Sequence, residues 1–395
     1  MKRVHGMVKQ MESRSAGRKE WERTMLVEKR EFVVPHFSFK KAGRTIPVRM
    51  GYETCGTLNA AGDNAVLVCH FFTGTGHAAG RYAETDPLPG WWDELIGPGR
   101  TIATNKYFVI CSDSFSNINA HNPRVITTGP ATIDPETGKP YAMRFPIFTL
   151  DDLVQCQRMM IDHLGVKRLR LVIGPSMGGL QAFLWGKMFS DIVDKLVSVV
   201  ATPMVRPATL MVPNQLGIEA IMLDPRWNGG DYHDGEPPRN GLLLAFKILV
   251  TSTRTDHWAD ANFGRRLATE GRGAGKDPYN SFAGRFLVEE EIEKTVLMRM
   301  QYFDANSYIF IAKANALFDL CEPGQTLSQA LGRLKMPVKM IIDESDLLFT
   351  REQAELAAPL LPDCETFYYN SRNGHLSCLF DIRLFAAEIE KFFKA

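Results

Sequence analysis

The sequence has no run of about 18 consecutive apolar residues, the length that a helix needs to cross a bilayer. It therefore predicts no membrane span, and the basic N-terminal segment lacks the apolar stretch of a secretory signal. An excess of one charge is missing as well, since 46 basic residues stand against 45 acidic ones for a formal net charge of +1. This balance gives no general attraction for nucleic acid, so neither a nucleic acid nor a membrane partner is expected.

Paired cysteines and metal-binding motifs are also missing. The seven cysteines form no Cys-x-x-Cys pair, their number is odd, and several lie inside apolar runs. This usage is typical of reduced, buried thiols and favours a cytoplasmic location. No His-Glu-x-x-His motif occurs, and the nine histidines do not pair with cysteines at metal-binding spacing. We therefore expect no metal site.

The apolar residues group into short runs that are largely continuous rather than alternating, and such runs predict buried strands. These runs are residues 65–69, 107–111, 169–173, 196–200 and 338–342. Between two of them, Thr149 and Asp152 form a potential capping box at the start of a predicted helix, which Gly165 would end. The alternation of strands and helices predicts an α/β protein with a mostly parallel central sheet and helices on both faces.

Shifts in composition divide the chain into three parts. Residues 1–30 carry nine basic and four acidic side chains, which predicts a poorly ordered basic tail. Residues 31–204 and 326–395 contain the strand signals and would form the core. Residues 205–325 lack strand-like runs and are rich in Met, Leu, Ala and charged residues, which predicts a helical insertion.

The strongest local signal is Gly174-Pro175-Ser176-Met177-Gly178, which follows an apolar strand and precedes a helical pattern. It matches Gly-x-Ser-x-Gly in the strand–turn–helix context that this motif requires. The sharp turn would lift the Ser176 hydroxyl above the sheet, and the flanking glycines would avoid clashes with neighbouring backbone. Ser176 is therefore the candidate nucleophile.

A serine nucleophile needs a base, and the expected order in such a fold is serine, acid, histidine. His375 follows a predicted strand near Thr366 and would be the general base. Three carboxylates could orient it, namely Asp343, Glu344 and Asp346. We favour Asp346, because it lies past the strand end, where a loop can bend towards His375.

Two backbone N–H groups would stabilise the oxyanion that forms when the serine attacks. One is the N–H of Met177, directly after the nucleophile. The other belongs to the loop after the strand at 65–69, where Phe72 is favoured over Phe71. His70 lies beside the end of that strand, and we interpret it as a loop-orienting or ordinary buried histidine rather than a reacting group.

These residues, in this order, resemble the α/β-hydrolase superfamily and, more narrowly, the homoserine O-acetyltransferase family. The resemblance runs from about residue 31 to residue 395, and its markers include CHFFTGTGHAAG, TTGPATIDPETGKPYAMRFPIFTLDD, GPSMGGLQA, DPRWNGGDY and SDLLFT. It implies that residues 205–325 form a helical lid and that the protein is a homodimer with contacts through that lid. It also implies a ping-pong mechanism, in which an acetyl group passes from acetyl-CoA to the serine and then to homoserine.

The sequence departs from this family where the acceptor would bind. Members usually carry Asp directly after the catalytic histidine, where it helps to hold the substrate ammonium, but this chain has Leu376. Losing such a charge-assisted bond costs about 1.5–3 kcal/mol of binding. Residues 115–124 replace a Gly-Gly-Cys-x-Gly segment, and Thr253-Arg254 replaces Tyr-Arg. Leu376 and Arg254 are therefore the candidate substrate-binding residues, with Arg254 either facing a substrate carboxylate or solvated on the lid.

Because the ammonium partner is missing, we expect hydrolysis of a small carboxylic ester, with water accepting the acyl group from the serine. The alternative is an acyltransferase that moves an acetyl group from acetyl-CoA to homoserine or a similar hydroxyl acceptor. A more remote alternative is an inactive hydrolase fold that serves as a scaffold. We expect no bound cofactor, and the partner would be a small ester or acyl donor, for which acetyl-CoA is one candidate.

Overall fold

A computed structural model describes residues 25–395 of the protein. The strands are, in chain order, β1 (Arg30–Phe39), β2 (Arg44–Cys55), β3 (Ala65–Val68), β4 (Ile96–Gly97), β5 (Ile102–Ala103), β6 (Phe108–Ser112), β7 (Leu169–Pro175), β8 (Leu196–Val199), β9 (Val338–Asp343) and β10 (Cys364–Tyr369). Eight of them form one sheet in the order β1-β2-β6-β3-β7-β8-β9-β10, whereas β4 and β5 pair with each other. From β6 to β10 all neighbours are parallel, and β1 and β2 add an antiparallel edge.

Helices connect the parallel strands. They are α1 (Leu150–His163), α2 (Met177–Met188), α3 (Val212–Met222), α4 (Arg239–Thr253), α5 (Asp256–Asn262), α6 (Leu287–Leu297), α7 (Ala305–Ala316), α8 (Leu327–Leu331), α9 (Arg351–Ala357), α10 (Ser377–Phe380) and α11 (Ala386–Lys394). Helices α3 to α7 lie between β8 and β9, in the segment for which an insertion was predicted; its role as a lid stays a prediction. Within residues 25–395, no helix combines the length and apolarity that crossing a membrane requires.

Both faces of the sheet are covered by apolar side chains. In β3, Leu67 belongs to a buried cluster that includes Leu180 of α2. Its neighbour Val66 points the other way, into a second cluster with Trp92 and with Phe385 just before α11. Successive residues of a strand face opposite sides, so a strand covered on both sides must be apolar throughout. The prediction of an α/β protein with a mostly parallel, two-sided sheet is therefore confirmed.

The continuous apolar runs correspond to β3, β6, β7, β8 and β9, each within two residues of its predicted bounds. The helix predicted after Thr149 is α1, and the Thr149 N–H donates to the Asp152 carboxylate at 2.8 Å. Strands β1 and β2 were not predicted, because much of their length alternates buried and exposed residues. Near the C-terminus, a 3₁₀ turn at residues 382–384 precedes helix α11, which begins at Ala386.

The predicted tail is wrong at its C-terminal boundary, because residues 25–30 pack against the rest of the protein. The Val27 side chain is buried. The Val27 N–H donates to the Arg81 carbonyl at 2.8 Å, and the Arg81 N–H donates to the Met25 carbonyl at 2.8 Å. Charge composition alone did not reveal these contacts. Residues 1–24 of the predicted tail lie outside the described residues.

Lys29 joins this N-terminal segment to two buried carboxylates. Its Nζ lies 2.9 Å from Glu53 Oε1 and 3.1 Å from Asp113 Oδ2. Burial alone would lower the pKa of Lys29, but the charges of Asp113 and Glu53 outweigh burial and raise this pKa. Asp113 also accepts the N–H of Gly76 at 2.7 Å, so the ion pairs extend to the loop that follows β3.

Lys29→Met should destabilise the protein, because it leaves Glu53 and Asp113 buried without their cation. Breaking a buried ion pair on one side typically costs about 3–5 kcal/mol. Urea unfolding monitored by tryptophan fluorescence would measure the change in the free energy of unfolding. Lys106→Met is the matched control, since Lys106 is exposed and should tolerate the change. Equal stability of the two variants would contradict the structural importance of the Lys29 pairs.

Candidate active site

The fold brings four predicted site residues to one edge of the sheet. Parallel strands present their carboxyl ends at the same edge, and β3, β7, β8, β9 and β10 are parallel neighbours in that order. Phe72 follows β3, Ser176 follows β7, Asp346 follows β9 and His375 follows β10. In open α/β sheets, ligand-binding and active sites usually form in the loops at the carboxyl ends of the strands.

Ser176 sits on a strained turn between β7 and α2. Its φ is +54° and its ψ is −124°, a backbone conformation that residues with a side chain rarely adopt. The Ser176 N–H donates to the Val199 carbonyl at 2.9 Å and so holds the turn. At Gly178 an added Cβ would lie 2.1 Å from the Cys69 carbonyl oxygen. The motif thus needs glycine there, because the end of β3 passes against the serine turn.

His375 links the serine to a carboxylate. Its Nε2 lies 2.7 Å from Ser176 Oγ, and its Nδ1 lies 2.7 Å from Asp346 Oδ2. An ionised carboxylate only accepts hydrogen bonds, so Nδ1 carries the proton and Nε2 faces the hydroxyl with its lone pair. The side chains of His375 and Asp346 are buried, whereas Ser176 is only partly so. This arrangement is competent to remove the proton of the Ser176 hydroxyl.

Backbone groups fix the carboxylate that meets His375. Asp346 Oδ1 accepts the N–H of Leu348 at 2.7 Å and that of Phe349 at 3.3 Å. The Phe349 ring also stacks on the His375 imidazole, with ring centroids 5.8 Å apart. Of the three carboxylates considered from the sequence, Glu344 instead pairs with Arg351 on the surface.

Asp343, the remaining carboxylate, binds backbone rather than imidazole. Its Oδ1 accepts the N–H of Ser345 at 2.9 Å and the N–H of Ser371 at 3.3 Å. Ser345 belongs to the loop of Asp346, and Ser371 belongs to the loop of His375. Burial raises the pKa of Asp343, against the lowering effect of these donors. Asp343 therefore ties the two loops together.

The two predicted oxyanion donors follow neighbouring strands. Met177 is the first residue of α2, so its N–H has no acceptor within the helix. The Phe72 N–H makes no backbone hydrogen bond among the described residues. The β3 loop is held against α2, since Gln181 Nε2 donates to the His70 carbonyl at 3.3 Å. The β3 loop with the Phe72 N–H and the start of α2 with the Met177 N–H thus contact each other next to Ser176.

Arg254 lies next to the loop that carries the histidine. Its Nη1 donates to Asn373 Oδ1 at 3.0 Å. The guanidinium carbon lies 4.5 Å from the ring centre of Trp258 and 5.4 Å from that of Phe380. Burial lowers the pKa of Arg254 to about 10, with the charge of Asp381 opposing this effect. The side chain is thus not a solvated surface arginine.

Leu376 directly follows His375, on a turn that α5 supports. Gly374 has a φ of +58°, and an added Cβ there would lie 2.8 Å from Thr255 Cγ2. Thr255 Oγ1 donates to the Arg372 carbonyl at 2.6 Å. Leu376 itself is half-buried. The residues predicted for substrate binding are thus both attached to the histidine loop.

Three residues near the site were not assigned a role from the sequence. Asn117 Nδ2 donates to the Gly74 carbonyl at 3.0 Å, and Asn119 Nδ2 donates to the Thr73 carbonyl at 3.2 Å. Arg299 Nη2 also donates to the Thr73 carbonyl, at 3.2 Å. The segment at 115–124 was noted only as a family departure. The signal that could have identified Asn117 and Asn119 is their position shortly after β6, at the edge of the sheet where the site forms.

Across residues 25–395, no three histidine, cysteine or acidic side chains are grouped so that they could hold a metal ion.

Comparisons with known proteins identify the family of the chain. A family model described as alpha/beta hydrolase fold matches residues 64–381. A homoserine O-acetyltransferase of Geotalea daltonii is 37% identical over 360 residues, which cover 90% of this chain and 94% of the relative. A homoserine O-acetyltransferase of Deferribacter desulfuricans is 39% identical over 319 residues, or 81% of each chain.

Solved structures give the same picture. The structure of homoserine O-acetyltransferase from Bacillus anthracis has a TM-score of 0.89 and 39% identity, covering 94% of this chain and 98% of that one. The structure titled esterase E22 has a TM-score of 0.86 and 33% identity, covering 93% of this chain and all of that one. With its sheet, its serine turn and these relatives, the chain belongs to the α/β-hydrolase superfamily and, within it, to the homoserine O-acetyltransferase family.

Proposed function

We propose that the protein is an O-acyltransferase that carries an acyl group on Ser176 and passes it to homoserine or a similar hydroxyl acceptor. The observation that supports acyl-serine chemistry is the chain of hydrogen bonds from Ser176 Oγ through His375 to Asp346. Acetyl-CoA is the proposed acyl donor, in keeping with the names of relatives that are 34–40% identical.

In the first half-reaction, His375 Nε2 accepts the Ser176 proton as Oγ attacks the acyl carbonyl. The N–H groups of Phe72 and Met177 donate to the resulting oxyanion. His375 then returns the proton to the departing thiolate or alkoxide, which leaves the acyl group on Ser176. Asp346 keeps the Nδ1–H tautomer and stabilises the imidazolium while it exists.

In the second half-reaction, His375 Nε2 takes the proton of the acceptor hydroxyl, and the acceptor oxygen attacks the acyl-serine. Collapse of the second tetrahedral intermediate returns the proton to Ser176 Oγ and releases the new ester. Arg254 is proposed to bind an acceptor carboxylate, since its guanidinium lies beside the histidine loop.

Hydrolysis of a small carboxylic ester is the second candidate, and it was the preferred one from the sequence alone. The names of the curated relatives give more support to the transferase. Leu376 is the specific observation that favours hydrolysis, because a leucine cannot pair with the acceptor ammonium. The similarity to the esterase E22 structure is compatible with it. The two candidates share the acyl-serine and differ in the donor that forms it and in the acceptor, homoserine or water, that attacks it.

Ser176→Ala should reduce kcat by about 10⁴–10⁶, the usual effect of removing a serine nucleophile from such a triad. The rate of ester cleavage by the purified variant would test this. In addition, mass spectrometry should detect a fluorophosphonate adduct on Ser176 in the wild-type protein and no adduct at position 176 in the variant. A variant that keeps more than a tenth of the activity would rule out the acyl-serine mechanism.

Asp346→Asn should lower kcat by about 10⁴, because an amide favours the wrong imidazole tautomer. Asp343→Asn should lower it far less, since Asp343 contacts backbone groups and not His375. Steady-state kinetics of the two variants, with thermal unfolding as the control for folding, would compare them. A greater loss in the Asp343 variant would assign the orienting carboxylate to that residue instead.

A hydroxyl acceptor should accelerate CoA release from acetyl-CoA above the rate in water alone. The assay would compare acetyl-CoA with and without homoserine, and a small ester series in water, at one enzyme concentration. Formation of the acetylated acceptor would be followed by mass spectrometry. Fast ester cleavage together with CoA release that homoserine does not change would establish the hydrolase instead.

Leu376→Asp should raise kcat/KM for homoserine by about 10- to 150-fold, the factor that corresponds to one charge-assisted bond of about 1.5–3 kcal/mol. Leu376→Asn is the matched control, because asparagine has the shape of aspartate without its charge. Kinetics with homoserine as the varied substrate would measure the effect. If both variants behave alike, the residue after the histidine does not face the acceptor ammonium.

A further inference from the structure

The peptide between Phe71 and Phe72 carries the proposed oxyanion donor. Its carbonyl oxygen, that of Phe71, accepts two hydrogen bonds, from His70 Nδ1 at 2.7 Å and from the Gly74 N–H at 2.8 Å. In a trans peptide the C=O and N–H groups point in opposite directions within one plane. Donors that hold the carbonyl of Phe71 therefore also fix the direction of the Phe72 N–H.

The proton on His70 is assigned by its partner. A carbonyl oxygen can only accept, so Nδ1 must carry the hydrogen. His70 is buried, and its Nε2 has no partner among the described residues. Burial lowers the pKa of His70, although the bond to the Phe71 carbonyl opposes this effect. His70 is therefore a neutral imidazole with a single donor, and that donor is used on the Phe71 carbonyl.

The space around this bond is tight. At Gly74, an added Cβ would lie 3.0 Å from His70 Cβ, 3.2 Å from His70 Nδ1 and 3.1 Å from the Phe71 carbonyl oxygen. Only glycine fits there without pushing the imidazole away from the carbonyl. The same glycine supplies the second donor to that oxygen.

Buried amides hold the next carbonyls of the loop. Asn119 donates to the carbonyl of Thr73, and Asn117 donates to that of Gly74. The orientation of the Asn117 amide is set, because its Oδ1 accepts both the backbone N–H and the Nδ2 of Asn119, each at 3.0 Å. The carbonyls of residues 71, 73 and 74 are thus all bound, whereas the Phe72 N–H makes no backbone hydrogen bond within residues 25–395.

We propose that His70 is a positioning residue, whose Nδ1–H holds the Phe71 carbonyl so that the Phe72 N–H faces the oxyanion formed on Ser176. A second effect acts in the same direction, since donation to the carbonyl of a peptide polarises its N–H. The inference rests on the proposed acyl-serine mechanism and adds the residue that prepares one of its two donors. His70 does not itself react.

Three substitutions of His70 distinguish the effect of its hydrogen bond to the Phe71 carbonyl from the effect of its side-chain volume. His70→Asn places an amide nitrogen near the position of Nδ1, so it can still donate to the Phe71 carbonyl. His70→Gln places its amide nearer the position of Nε2, which has no partner, and His70→Leu removes the donor altogether. The full-length proteins would be compared on p-nitrophenyl acetate, with rates expressed per Ser176 site titrated by a fluorophosphonate. Misfolded protein is thereby excluded from the rates.

We expect kcat to fall about 10- to 100-fold in the Leu and Gln variants, somewhat less than the full loss of one oxyanion donor. KM should change less than about threefold, and the Asn variant should keep most of kcat. A boronic acid that forms a tetrahedral adduct with Ser176 should bind more weakly to the Leu and Gln variants in proportion to their loss of kcat/KM.

Normal rates per titrated site in the Leu variant, or in the Gln variant if the Leu variant does not fold, would overturn the inference. An Asn variant as slow as the Gln variant would overturn it too, because donation to Phe71 would then not matter. A wild-type protein that forms no adduct at Ser176 would instead overturn the proposed function and, with it, the role of His70.

Discussion

The close approach of the β3 end to the serine turn is the constraint on which the site depends. The Cys69 carbonyl lies so near this turn that an added Cβ would be 2.7 Å from it at Gly174 and 2.1 Å from it at Gly178. The approach follows from the parallel pairing of β3 with β7, whose residues 68 and 173 are register partners. It places the loop that follows Cys69 beside the start of α2, and these are the two segments that carry the proposed oxyanion donors.

Buried carboxylates near the histidine have separate tasks because their environments differ. Asp346 has one oxygen on backbone N–H groups and the other on the imidazole. Asp343, three residues earlier, directs one oxygen to the backbone of both loops, and its other oxygen has no hydrogen-bond partner within residues 25–395. In the proposed mechanism Asp346 would orient the base, while Asp343 bonds to the two loops that carry Asp346 and His375. The relative position of the two loops therefore depends on the end of β9, where Asp343 lies, and not on the loops alone.

Much of this arrangement could be predicted from the sequence, for definite physical reasons. Strands that are covered on both faces are mostly apolar, so β3 and β7 stood out, although β7 contains Arg170. The serine turn in addition needs glycines in fixed positions. The acid was chosen because a residue past a strand end can turn back, and Asp346 does meet His375. Strands β1 and β2 were missed, since one-sided alternation resembles many loops. The contacts of Asn117 and Lys29 depend on segments far apart in the chain, which no local pattern reveals.

The bonds between the α4–α5 junction and the histidine loop have a mechanical consequence. Thr255 binds the carbonyl of Arg372, and Arg254 binds the side chain of Asn373, both within three residues of His375. If the helices between β8 and β9 swing outwards to admit a large substrate, these two bonds must either break or pull the imidazole along. Substrate entry would then be coupled to the orientation of the His375 imidazole. The proposed reaction would proceed only after these helices have returned to the position they have in the structure.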